Sequence, residues 1–281
     1  MDLFYSPEYA KTGDVIPYYN EETKRFEGYY LKNWNPDAPK DMVVYGWHHI
    51  VSEDNRNFIE TSTNIHGGTG SILKVNGLYH MFYCTFDQEP QAQWARHATS
   101  TDLVHWTDIP EEKFTADGEI YRMSDWRDPF VFWNEEEQKW WMLLAARENG
   151  ATERNGCVAL CVSDDLAHWE YRRPLYAPRT HQGAYECPDF FKMGDWYYLV
   201  YSSYTDGFST YYRMSPPKDH GSNPEWIPLT EELFMRLRQG RMERIVLFMD
   251  GIRPGERTDG ALIRGTILER TIRPGTGAVP L

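Results

Sequence analysis

The stretch Ala98-Thr-Ser-Thr-Asp-Leu-Val-His-Trp106 returns almost residue for residue as Cys161-Val-Ser-Asp-Asp-Leu-Ala-His-Trp169, and a looser copy stands at His49-Ile-Val-Ser-Glu-Asp-Asn55. A serine and an acid, closed by a tryptophan in two of the three copies, point to one supersecondary unit used several times, and such repetition decides architecture before any single element does. Between the phrases lie pairs of short aromatic-rich runs joined by polar turns. Examples are Asp128-Pro-Phe-Val-Phe-Trp-Asn134 with Lys139-Trp-Trp-Met-Leu-Leu144, and Cys187-Pro-Asp-Phe-Phe191 with Trp196-Tyr-Tyr-Leu-Val-Tyr201. Lys74-Val-Asn-Gly-Leu78 and Lys192-Met-Gly-Asp-Trp196 have the composition of hairpin turns. No long amphipathic stretch of helical period appears before residue 230. Short strands and turns repeating every 50–60 residues read as an all-β chain folded into the blades of a β-propeller.

Aligning the units on their first strands sets Asp14, Thr69, Asp128 and Glu186 at one shared position, with spacings of 55, 59 and 58 residues. The first strand of each blade lines the central channel. Three carboxylates at one place in three blades therefore converge on the axis, and their mutual repulsion separates acid from base roles. The alternative for any one of them is a turn-capping acid.

Composition bounds the rest. The 281 residues carry a net charge of −13 and are 15% aromatic, which is material for a large core. So acidic a chain argues against a nucleic-acid partner. No apolar run is long enough to span a membrane, so no membrane partner is expected. The N-terminus shows neither a basic nor an apolar leader region, and the four cysteines (Cys84, Cys157, Cys161, Cys187) read as buried free thiols, so a cytoplasmic location is expected. His48, His49, His66 and His80 fall at no metal-ligand spacing; no metal and no cofactor are expected. Residues 235–281 change vocabulary: they hold one aromatic, no lysine and nine arginines, against 42 aromatics and all nine lysines in residues 1–234. The chain therefore divides into a propeller domain, 1–234, and an atypical Arg-rich segment, 235–281, read either as a shifted reading frame or as a genuine tail supplying a partial fifth blade.

Trp126-Arg127-Asp128-Pro129 and Tyr185-Glu186-Cys187-Pro188-Asp189 match the R-D-P and E-C-P motifs of glycoside hydrolase family 32, the invertases and fructan hydrolases, and over residues 4–234 the chain resembles that family. Gly46-Trp47-His48 fits as well, and Gly70-Ser71 followed by Tyr79-His-Met-Phe-Tyr83 is similar to the family's second-blade pattern, which adds Ser71 to the substrate-binding candidates. The resemblance implies a five-bladed propeller, here with about four clear blades, an incomplete fifth and no following β-sandwich. It implies a carbohydrate substrate and retaining hydrolysis of β-fructofuranosyl linkages, as in sucrose or fructans, with Asp14 as nucleophile, Asp128 as transition-state stabiliser and Glu186 as general acid/base. Around Asp14 the chain departs from the family's W-M-N-D-P-N-G opening and reads Lys11-Thr-Gly-Asp-Val-Ile-Pro17. The chemistry needs one carboxylate to meet an oxocarbenium-like centre and one carboxylic acid to protonate the leaving oxygen. Tyr185, Cys187 and Pro188 are expected to give Glu186 a low-polarity setting, and Arg127 to orient Asp128. Trp47, Trp94 and Trp126 are candidates for stacking on a sugar ring, whereas Trp106 and Trp169 read as blade packing. Two other readings stand beside this one: an inverting arabinosidase or xylosidase of a neighbouring propeller family, against which the Cys after Glu186 argues, and a catalytically inactive sugar-binding propeller fragment.

Overall fold

The computed structural model describes Tyr5, Pro7 and residues 11–33, 46–54, 56–61, 63–88, 91–150, 153–180, 182–193, 196–203, 209–215, 245–250 and 263–268. Its strands form successive antiparallel meanders. Blade 1 is β1 (Lys11–Asn20), β2 (Arg25–Asn33), β3 (Gly46–Ser52) and β4 (Ile59–Thr61). Blade 2 is β5 (Gly68–Val75), β6 (Leu78–Asp87), β7 (Ala92–Ser100) and β8 (Thr107–Asp108), followed by a short 3-10 turn, Pro110–Glu112. Blade 3 is β9 (Tyr121–Asn134), β10 (Lys139–Glu148), β11 (Gly156–Ser163) and β12 (Glu170–Tyr171); blade 4 shows β13 (Glu186–Met193), β14 (Trp196–Ser203) and β15 (Ser209–Ser215). The first strands stand side by side, β5 between β1 and β9, and β9 against β13. The two strand-like runs of the Arg-rich segment pair with each other as β16 (Ile245–Asp250) and β17 (Ile263–Leu268); the remainder of 216–281 lies outside the described residues.

Period-two alternation explains the packing. In β10, Met142, Leu144 and Ala146 join Phe82, Tyr121 and Trp126 between blades 2 and 3, while Leu143 joins Val158, Tyr185 and Tyr201 between blades 3 and 4. A strand buried on both faces reads as a continuous apolar run, which is what Trp-Trp-Met-Leu-Leu-Ala-Ala is. Ile16, Tyr29, Met81 and Tyr83 fill the space between blades 1 and 2. Trp106 closes that core edge-on to Tyr29, and Trp169 stands edge-on to Phe82, so both are blade packing.

The repeated serine-acid phrase is a turn that satisfies its own backbone. Ser100 Oγ accepts from the N–H groups of Asp102 and Leu103, and Asp102 Oδ1 accepts from those of Val104 and His105. Ser163 and Asp165 repeat every one of these bonds with Leu166, Ala167 and His168, and Asp54 accepts from Arg56 and Asn57 in the same way. Leu103 and Leu166 hold positive φ of 66° and 69°, a strain that four local bonds outweigh. The donors hold Asp54, Asp102 and Asp165 well below the usual carboxylate range. A fourth copy of the serine, Ser215, ends β15 and is buried like Ser52, Ser100 and Ser163. Asn76 and Gly77, with φ of 50° and 84°, make the two-residue hairpin between β5 and β6; Gly194 and Asp195 lie outside the described residues. The acid-rich Glu21-Glu22 and Glu135-Glu136-Glu137 occupy exposed hairpin turns.

Candidate functional site

Each of the four first strands carries a β-bulge, near the start in β1, β5 and β13 and midway along β9. The pairing shifts between Thr12 and Val15 in β1, Gly68 and Ser71 in β5, Arg127 and Phe130 in β9, and Glu186 and Asp189 in β13. A bulge kinks its strand and re-aims the side chains around it. Asp128 and Cys187, the residues next to the bulge in β9 and β13, have left-handed φ of 56° and 47°. In β5 the strand approaches β6 so closely that a Cβ on Gly70 would stand 1.7 Å from the Phe82 carbonyl oxygen, so only glycine fits.

Counted from the bulge, the acids are not at one shared position. Glu186 precedes it, Asp128 follows the equivalent residue Arg127 by one, and Asp14 follows the equivalent residue Thr12 by two. The expectation of strict register is corrected by one residue per blade, because the extra residue belongs to a pair of strands and is invisible in either alone. The three carboxylates still share one field. Asp14 feels the charges of Glu186 and Arg127, and Asp128 feels Arg127, Asp14 and Glu186.

Arg127 is the hub. Its Nη2 donates to Glu186 Oε1 at 2.5 Å, its Nη1 to Asp125 Oδ1 and Gln93 Oε1, each at 3.3 Å, and its Nε stands 4.0 Å from Asp128 Oδ2. The apolar setting expected for Glu186 is therefore replaced by an ion pair, with the Arg127 and Glu186 side chains each 20% exposed. Asp128 is 6% exposed, and among the described residues its Oδ2 accepts the Cys187 N–H at 2.9 Å. Burial is the main cause that pushes its carboxyl from the ordinary 3.8 up to about 7, with Asp14 and Glu186 adding to the rise and Arg127 opposing it. Burial also raises Asp14, against the hydrogen bond that Thr69 Oγ1 donates to its Oδ2 at 2.5 Å. Asp189, beyond the bulge of β13, is pushed up to about 6 by burial. The Cys84 thiol, buried close to Asp128, is raised to about 12 by burial first and the Asp128 charge second. Cys84, Cys157 and Cys161 are buried, Cys187 half-buried, and none of the four is in a disulfide.

Three binding candidates are corrected by packing. Trp126, beside the acid in sequence, is 0% exposed and packs against Phe114, Tyr121 and Tyr171. Alternation along β9 turns it into the core between blades 2 and 3 when its neighbour Arg127 faces the site. Trp47 is 2% exposed, packs against Tyr29 and donates its indole N–H to the Gly67 carbonyl. Ser71 spends both hydrogen-bonding roles on joining β5 to β9: its Oγ donates to the Pro129 carbonyl and accepts the Val131 N–H, each at 2.9 Å. Trp94 is half-buried with the Lys113 ammonium 4.6 Å from its ring centroid. Thr69, which donates to Asp14, and Gln93 and Asp125, which touch Arg127, had no marking in the sequence except that Thr69 stands where the second blade lacks its acid. Among the described residues no cluster of three or more His, Cys, Asp or Glu is arranged to hold a metal ion.

The family model described as the glycosyl hydrolases family 32 N-terminal domain matches residues 18–223, a span that includes Asp128 and Glu186 and begins after Asp14. The chain is 34% identical over 106 residues to sucrose-6-phosphate hydrolase of Escherichia coli, which is 37% of this chain and 20% of that protein. It is 37% identical over 71 residues to a levanase of Bacillus subtilis, 25% of this chain and 9% of that one. Fructan 1-exohydrolase IIa from Cichorium intybus has the same fold, with a TM-score of 0.63 at 21% identity over 81% of this chain and 46% of that structure. The chain thus spans a fifth or less of these two curated relatives and about half of the solved structure.

Proposed function

The chain belongs to glycosyl hydrolase family 32, and from that premise we propose that it hydrolyses β-fructofuranosyl linkages of sucrose or fructan type by double displacement with retention. The observation that carries this is the meeting of Asp14, Asp128 and Glu186 around one arginine at the starts of three blades. In this reading Asp14, steadied by Thr69, attacks the anomeric carbon while Glu186 protonates the departing oxygen. Glu186 then takes a proton from the water that releases the fructosyl-enzyme. Asp128 Oδ2 is engaged by the Cys187 N–H, which leaves Oδ1 to accept from sugar hydroxyls as the ring flattens. Trp94, half-buried with the Lys113 ammonium over its ring, is the aromatic candidate that packing leaves.

The test is release of fructose from sucrose, inulin and levan by the full chain, with Asp14→Asn as control and the first-formed anomer followed by NMR. Fructose appearing with retained configuration and lost in Asp14→Asn supports the proposal. Binding of fructo-oligosaccharides without turnover overturns it in favour of a sugar-binding propeller, and an inverted first product favours the arabinosidase-type mechanism.

A further inference from the structure

Beyond the three carboxylates and Arg127, a second tier of charge stands on the far side of the guanidinium. Asp125, two residues before Arg127 on β9, accepts from Arg127 Nη1 at 3.3 Å. Its Oδ2 accepts from Ser124 Oγ at 3.0 Å and lies 3.7 Å from Arg147 Nη1. Arg147, from the neighbouring strand β10, is itself fixed, because its Nε donates to Asn155 Oδ1 at 2.9 Å and Asn155 Nδ2 donates to the Glu148 carbonyl at 2.8 Å. The charges alternate outward from the site as Glu186, Arg127, Asp125 and Arg147, with Asp125 20% exposed and shielded enough for its charge to count. Gln93, from blade 2, steadies the guanidinium without adding charge and accepts the Trp126 N–H as well.

One guanidinium facing two carboxylates on its two terminal nitrogens divides its attraction between them. Resting on the fructosidase reading above, we infer that Asp125 is a positioning residue: it shares the charge of Arg127 with Glu186, so that the guanidinium does not serve Glu186 alone, and Arg147 sets how strongly it does so. A general acid must carry its proton when the leaving oxygen departs, and a guanidinium bound against it favours the charged form. Removing Asp125 leaves Arg127 to Glu186 alone and takes a negative charge out of the neighbourhood, and both effects favour the ionised acid. Removing Arg147 does the reverse on both counts. The other titratable groups facing Arg127 and Glu186 are Asp14 on β1, Cys84 on β6 and Asp128 on β9, with Cys187 and Asp189 adjacent on β13. The residues themselves are the same in both variants, and Asp128 and Asp14, which also feel Arg127, are biased in the same direction as Glu186.

The experiment is the pH profile of kcat/KM for sucrose, with the full chain, for wild type, Asp125→Asn and Arg147→Gln. The alkaline limb moves down by about one pH unit in Asp125→Asn and up by about half a unit in Arg147→Gln, since a charge partner at ion-pair distance is worth about one to three units and these act one step removed. An aryl β-fructofuranoside, whose phenolate leaves without a proton, is turned over by Asp125→Asn at close to the wild-type rate. Melting temperatures establish that each variant is folded, and if Asp125→Asn fails to fold, the sign of the Arg147→Gln shift decides. Limbs that stay in place, limbs that move the same way, or an aryl fructoside lost in proportion to sucrose overturn the inference while leaving the fructosidase reading intact. A wild-type chain inactive on every fructoside removes that reading and the inference with it.

Discussion

Asp128→Asn is expected to make the protein more stable and less active, and the size of the gain follows from burial. The Asp128 carboxyl keeps its proton up to about pH 7 in the folded protein, against an ordinary 3.8. Between those two values the folded chain binds a proton that the unfolded chain has released, so stability falls as pH rises through the interval. A shift of about three units at 1.36 kcal/mol each sets an upper bound of about 4 kcal/mol on the penalty above pH 7. Asparagine removes that penalty, keeps an oxygen for the Cys187 N–H, and tolerates the left-handed φ of 56° well. The attraction of Arg127 for the charged form is already inside that shift; burying the amide group offsets part of the gain, so about 1–3 kcal/mol remains, or about 2–6 °C in melting temperature for a chain of this size. The assay is thermal unfolding of both proteins from pH 4 to pH 8.5. The gain should be full above pH 7 and shrink toward pH 4, while kcat on a fructoside drops by about 10²–10³, as for loss of one transition-state stabilising group. A variant no more stable than wild type at pH 8, or a gain that ignores pH, would refute the reasoning.

Two further outcomes follow from the same geometry. Thr69→Val removes the hydroxyl that stabilises the ionised Asp14, so the acidic limb of the kcat/KM profile should move to higher pH by about half to one unit; an unmoved limb would separate Asp14 from catalysis. Trp126→Ala should cost about 3–5 kcal/mol through the cavity left between blades 2 and 3, seen as a fall of about 6–10 °C in melting temperature, with KM unchanged in whatever folded fraction remains; a selective rise in KM would return Trp126 to the sugar site.

Much of the fold was legible because a propeller writes its period into the chain. The Ser-x-Asp phrases at Ser100 and Ser163 are local: serine, acid and the backbone groups they satisfy lie within six residues, so composition alone shows them. Ser215 escaped notice because Pro216-Pro217 follows it in place of the acid, although its burial at the end of β15 matches the other three. The R-D-P and E-C-P motifs are equally local and located two of the three carboxylates. What could not be read was anything that two distant strands decide jointly. Whether Trp126 or Arg127 faces the site depends on which residue the β9–β10 pairing leaves extra, and one step reverses the assignment. Ser71 looked available because its partners, Pro129 and Val131, belong to the next blade. Gln93 and Asp125 gave no sign because neither residue type is diagnostic until Arg127 is seen between them.

The bulges and the charges explain one another. Three carboxylates around a single guanidinium would carry excess negative charge in a site partly shut from water, and the fold answers by leaving a proton on Asp128 up to about pH 7 while Asp14 also rises. The proton offsets that excess only below about pH 7, which is why replacing Asp128 is expected to stabilise the fold above it. In the fructosidase reading proposed above, a substrate whose ring becomes cationic supplies the compensating positive charge. An interaction that is unfavourable in the free protein and favourable at the transition state is the differential binding that speeds a reaction. The strain at Asp128 and Cys187, the buried carboxyl and the competition for Arg127 are therefore parts of one arrangement, in which folding stability is given up where a developing cation will restore it.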